Sequence, residues 1–131
     1  MFNKLAVQKA LKRSWSLDTN PGWTPDNPSD GLGSITSQLI HDIFGGEILK
    51  TRKKKGWHFY NRVDGEYIDF TKSKMDNSSE DKDNRFEDLP STPDETQNYF
   101  EQEDYSTLFM RFIWAYEEVI GLNKYKYRVT A

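Results

Sequence analysis

Two residues near the middle of the chain have the types and the spacing for acid–base chemistry. Asp64-Gly65 is a two-residue hairpin signal between two strand-like runs. Such a loop pairs Val63 with Glu66, Arg62 with Tyr67, Asn61 with Ile68 and Tyr60 with Asp69. Side chains two apart share a face, so His58 falls on the face of Tyr60 and therefore of Asp69. Diagonal neighbours of this kind are roughly 7–8 Å apart at the backbone, a gap that an imidazole and a carboxylate can close. The pair has the form of a base and its orienter, in which the carboxylate fixes the ring's tautomer. A structural His–Asp hydrogen bond on a half-buried sheet needs the same spacing, and the hairpin alone does not separate the two. The chain has no cysteine, which excludes disulfides, thiolate metal sites and cysteine nucleophiles. Two histidines are too few for a multi-histidine metal site, and no residue pattern calls for a cofactor.

The elements that position the pair follow from periodicity. Asn3 is placed to cap a first helix over 4–13, with Leu5, Ala6, Ala10 and Leu11 on its apolar face. The segment 17–33 is rich in Pro, Gly, Asp and Asn and carries Trp23; with Trp15 just before it, it reads as an ordered loop laid over the core. Ile35, Leu39, Ile40, Ile43 and Phe44 form the stripe of a second helix, with Gly33 or Ser34 at its N-cap and Gly45-Gly46 at its end. Strands are expected over 47–51, 57–63 and 66–70, with Lys53, Lys54, Lys55 and Gly56 as the first turn. Residues 71–102 lack aliphatic periodicity and read as a mobile acidic loop with an ordered patch at 86–90. Tyr105, Leu108, Phe109, Phe112, Ile113, Tyr116, Val119 and Ile120 give a third long helix over 103–120, ended by Gly121; Trp114 lies off its stripe. The tail 124–129 alternates like an edge strand. Helix, helix, small antiparallel sheet, helix is an α+β order.

At 131 residues the chain has the length of one domain. Aromatic residues make up 15% of an otherwise polar sequence with a mean hydropathy of −0.89, and they supply the area a small core needs. No stretch reaches the roughly 18 consecutive apolar residues of a membrane span, and Met1-Phe2-Asn3-Lys4 does not open a signal peptide, so the expected location is cytoplasmic. The net charge of −3 argues against a general nucleic-acid binder. It is unevenly spread: residues 76–104 hold eleven acids against Lys82 and Arg85, whereas Lys50, Arg52, Lys53, Lys54 and Lys55 crowd into six positions.

The blocks Ser14-Trp15-Ser16, Gly22-Trp23-Thr24, Asn27-Pro28 and Phe44-Gly45-Gly46-Glu47-Ile48-Leu49, with Gly56-Trp57-His58-Phe59-Tyr60-Asn61-Arg62 and Tyr67-Ile68-Asp69-Phe70-Thr71, make this sequence resemble the YunG family. That resemblance implies a papain-like, cysteine-peptidase-like fold. A nucleophilic cysteine would begin the helix packed on the sheet, with a histidine and an acidic or amide residue on successive strands. His58 and Asp69 match the last two roles, with Asn61 nearby. The nucleophile is missing, because Gly31-Leu32-Gly33 stands where the family pattern reads Gly-Gln-Cys.

Three functions are compatible with these residues. The leading one is a pseudoenzyme, a papain-like domain with a degenerate site at Gly33, His58 and Asp69 that binds a protein or peptide. Trp23, Lys53, Lys54 and Lys55 are its candidate partner contacts. The second is a hydrolase or acyltransferase in which Ser34 is activated by His58 and Asp69. Ser34 is displaced by one residue, about 100° around a helix from the aligned position. The third is an inhibitor or decoy acting through the acidic 76–104 segment.

Overall fold

The computed structural model describes residues 2–15, 32–53, 56–71 and 86–121. Helix α1 (Lys4–Ser14) starts where expected: the Asn3 Oδ1 accepts the Ala6 N–H at 3.0 Å, satisfying one of the helix's free donors. Its buried face is Ala6, Val7, Ala10, Leu11 and Ser14, whereas Leu5 is 61% exposed. The expected apolar face is therefore corrected. The helix is rotated so that fully buried Val7 takes the place assigned to Leu5.

Helix α2 (Gly33–Phe44) buries Ile35, Leu39 and Ile40 almost completely, while Ile43 and Phe44 at its last turn are only partly covered. Gly45 and Gly46 follow with φ of +82° and +81°. At Gly46 the need for glycine is steric as well, because a Cβ there would stand 2.3 Å from the Arg62 carbonyl oxygen. The chain can then drop directly into the sheet.

That sheet is antiparallel, in the order β3-β2-β1-β4, formed by β1 (Glu47–Lys53), β2 (Gly56–Val63), β3 (Glu66–Ile68) and β4 (Leu89–Ser91). The Asp64-Gly65 turn has φ of +52° and +80°, as a two-residue hairpin of primed type requires. The register is the one derived from the sequence as far as Asn61↔Ile68. There β3 ends, two residues earlier than expected.

The segment 71–102 is not one long loop. Its described part contains β4, a short helix α3 (Pro93–Thr96) capped by Thr92, and a 3-10 turn at Gln97–Tyr99. Pro90 hides β4 from a propensity reading. It sits opposite Leu49 on an edge strand, at a non-hydrogen-bonded position where no N–H is needed.

Helix α4 (Gln102–Val119) packs on α1 and α2 through Tyr105, Leu108, Phe112 and Ala115. Trp114 is 66% exposed, as its place off the stripe predicts. The core therefore lies between α1, α2, α4 and one face of the sheet, where Val63 and Ile68 point. No helix among the described residues is long and apolar enough to cross a membrane. Trp23, Lys54, Lys55 and the tail 124–129 lie outside the described residues.

Candidate functional site

Strand parity sorts the sheet into two working faces. Asn61 is buried, and its Nδ2 donates to the Ser37 carbonyl of α2 at 2.9 Å, so odd-numbered residues of β2 face that helix. His58 and Tyr60 face the other way, onto a strap formed by Phe86, Glu87 and Asp88. The Glu87 N–H donates to the Thr51 hydroxyl at 2.9 Å, and the Asp88 N–H donates to the Tyr60 hydroxyl at 2.9 Å. The Tyr60 hydroxyl in turn donates to the Asp88 carboxylate. Burial, followed by that hydrogen bond, pushes the Tyr60 phenol well above its ordinary pKa. The His58 ring stacks on Tyr60 and lies against Phe86, with both centroids at 6.0 Å.

His58 and Asp69 meet. The Nε2···Oδ2 distance is 2.7 Å, and the side chains are 17% and 12% exposed. They meet because the chain leaves the ladder after Ile68, rather than through a continued β-pair. Asp69 is held by a local turn in which its Oδ1 accepts both the Thr71 N–H and the Thr71 hydroxyl at 3.2 Å. A carboxylate only accepts, so the ring hydrogen sits on Nε2 and Nδ1 is the nitrogen left for other work. Nδ1 has no hydrogen-bond partner among the described residues.

The start of α2 reaches the same corner. In a two-residue hairpin the closing pair exchanges both hydrogen bonds, so odd residues of β2 direct their N–H and C=O toward β3. With β3 ending at Ile68, the corresponding groups of Phe59 face the notch it leaves. Gly33 borders that notch: a Cβ on it would lie 3.6 Å from the Thr71 hydroxyl, 3.7 Å from the Phe59 carbonyl oxygen and 3.8 Å from the Phe59 nitrogen. These are ordinary contacts, so the position would accept a Cβ that the sequence does not supply.

The expected cap is corrected here. The N-cap is Leu32, without a side-chain hydrogen bond, and both Gly33 and Ser34 lie inside the helix. The Leu32 side chain is buried, and it anchors the helix start by packing instead of capping. Leu32 therefore gives the first N–H groups of α2 no side-chain acceptor, and the positive end of the helix dipole lies at the notch. Ser34 is 6% exposed, and no hydrogen bond joins it to His58.

Gly33 thus meets Thr71 and Phe59, and Thr71 holds the carboxylate that pairs with His58, whereas Asn61 faces α2 on the other side of β2 from His58. Thr71 entered the sequence reading only as the last residue of the Tyr67-Ile68-Asp69-Phe70-Thr71 block. The strap falls within the ordered patch expected at 86–90, but its docking on Tyr60 was not legible, because Tyr60 and Asp88 are 28 residues apart. Lys53 stands over the Phe86 ring at 5.0 Å. Of the acidic segment 76–104, Glu87, Asp88 and Glu95 are used in internal hydrogen bonds.

The family model described as "YunG protein" matches residues 3–116. The chain belongs to the YunG family. It is 36% identical over 102 residues to the uncharacterized protein YunG of Bacillus subtilis (strain 168), covering 78% of this chain and 84% of that protein. No solved structure matches. The matched span contains α1, α2, the whole sheet and most of α4, so the corner at Gly33, His58 and Asp69 lies within the family region.

Proposed function

We propose that this chain is a non-catalytic, papain-like domain that binds a protein or peptide segment at the corner formed by the start of α2, His58 and Asp69. The observation that carries the reading is that a Cβ could be added at Gly33 without collision. A Cβ fits there in ordinary contact, the position lies in the first turn of α2, and it meets Thr71, which holds the carboxylate that pairs with His58. A base–carboxylate pair near a helix start is the kind of surrounding that activates a nucleophile, and glycine at position 33 offers only a hydrogen atom in its place. Free N–H groups at a helix start bind carbonyl or carboxylate oxygens, so the corner can hold a backbone without cleaving it.

The test restores the missing group. Wild type should resist serine- and cysteine-directed electrophiles. Gly33→Cys should form a thioether with iodoacetamide, releasing iodide, at least about threefold faster near neutral pH than a free cysteine, because the helix dipole favours the thiolate. His58→Ala in that background should slow the reaction, and Gly33→Ala is the folding control. A rate equal to that of a surface cysteine would show that position 33 is not the old nucleophile site. Labelling of wild type at Ser34, abolished by Ser34→Ala, would replace this reading with a serine-dependent hydrolase or acyltransferase. The binding half is read by NMR titration with a mixed peptide pool. Shifts should cluster at 33–35, 58–59 and 69–71, and their absence there would remove the binding role.

A further inference from the structure

The three residues of the strap cover the outer face of β2 at His58. Phe86 and Asp88 are half-buried and Glu87 is exposed, and none of the three enters the hydrophobic core between the helices and the sheet. The Phe86 ring centroid lies 4.7 Å from that of Tyr60 and 6.0 Å from that of His58. Apart from this ring, polar bonds hold the strap down. The Glu87 N–H donates to the Thr51 hydroxyl, and the Glu87 carboxylate accepts the Arg52 N–H at 3.0 Å. Asp88 both donates to and accepts from the Tyr60 hydroxyl. Beneath the strap Thr51 and Tyr60 are fully buried, and the side chain of His58, opposite Thr51 in the ladder, is 17% exposed. Asp88 stands at the junction with β4 and has φ of +54°, a left-handed conformation that strains most residues other than glycine and that aspartate tolerates. A surface element held by a few polar bonds outside the core opens at much lower free energy than the domain unfolds.

We infer that residues 86–88 are a lid over His58, hinged at Asp88 and latched by the Tyr60 hydroxyl. Closed, the lid lays the Phe86 ring against the imidazole. Released, it uncovers a ring whose Nε2 is still held by Asp69 and whose Nδ1 is the nitrogen left to meet a ligand. None of the bonds that hold the strap involves Asp69, so the tautomer survives opening. One hydroxyl carries both bonds of the latch, which therefore forms and breaks as a unit. That the lid controls binding rests on reading the corner as the binding site; that it opens does not.

The test follows carbethoxylation of His58 in the full chain by diethyl pyrocarbonate, read by mass spectrometry after proteolysis. A neutral ring nitrogen attacks one carbonyl and keeps its ethoxycarbonyl group; the displaced ethyl carbonate takes the ring proton and breaks down to ethanol and carbon dioxide. Tyr60→Phe keeps the ring on which Phe86 and His58 pack but removes both latch bonds. The His58 rate should rise at least about fivefold, the net worth of one hydrogen bond in the opening equilibrium. Thr51→Val, which removes the acceptor of the Glu87 N–H, should raise it as well. Tyr105→Phe is the control, because it removes a phenol–carboxylate bond of the same kind between α4 and α2 and leaves the strap intact. An unchanged His58 rate in both Tyr60→Phe and Thr51→Val would overturn the lid. So would an equal rise in Tyr105→Phe, which would assign the exposure to general loosening. In either case peptide shifts at the corner would still support the binding role, whereas a faster His58 without such shifts would keep the lid and remove that role.

Discussion

At residue scale, the orientation of one carboxylate decides the protonation pattern of the site. Asp69 divides its two oxygens: Oδ1 takes both donors of Thr71, and Oδ2 takes His58 Nε2. Asp69→Asn keeps the shape but makes the two atoms different. The amide oxygen stays with the two Thr71 donors, so the NH₂ is turned toward the ring. A donor facing Nε2 forces the ring hydrogen onto Nδ1. The expected outcome is a switch of the neutral His58 tautomer, visible in its ¹⁵N chemical shifts, with little loss of stability. An unchanged tautomer would mean that the carboxylate does not set it. The His58–Asp69 pairing was legible because a two-residue turn fixes parity for several residues on either side. Thr71 and the Phe86 contact depend on where β3 stops and where a distant strap returns, which no local pattern encodes.

At the scale of elements, periodicity located α2, the β2–β3 hairpin and α4, but β4 and α3 escaped it. Leu89-Pro90-Ser91 is too short to show alternation, and its proline argues against a strand unless the hydrogen-bond parity of β1 is already known. The α2–β1 connection is where sequence and geometry meet most tightly. Gly45 and Gly46 both have positive φ, yet only Gly46 approaches the neighbouring backbone. Gly45→Ala should cost about 1–3 kcal/mol, because its φ of +82° with ψ of −155° is a conformation that is essentially glycine's alone. Gly46→Ala adds a collision with the Arg62 carbonyl, which is part of the β2 ladder and cannot move without disturbing it. Its cost should clearly exceed that of Gly45→Ala in urea unfolding. Equal costs would mean that the close approach at Arg62 is absent in solution.

For the whole molecule, the two faces of the structure are each tied by a buried phenol to a carboxylate far away in sequence. Tyr60 holds the strap to the outer face of the sheet through Asp88. Tyr105 holds α4 to α2 through Asp42. Burial first, and then the carboxylate partner, raise both phenols well above the ordinary value of 10.0. A group whose folded pKa exceeds its unfolded pKa contributes stability that is complete below the unfolded value and is lost as pH rises beyond it. The unfolded chain releases these two protons near pH 10, while the folded chain retains them, so the urea midpoint should fall progressively above pH 10. Tyr60→Phe and Tyr105→Phe should each cost about 1–3 kcal/mol near neutral pH, because a buried partner is left without its hydrogen bond. Each should also flatten the alkaline decline by one proton's worth, and the double variant by two, since the phenols sit on different layers and share no partner. A decline as steep in the double variant as in wild type would place the alkaline sensitivity elsewhere and leave the two phenols as packing groups alone.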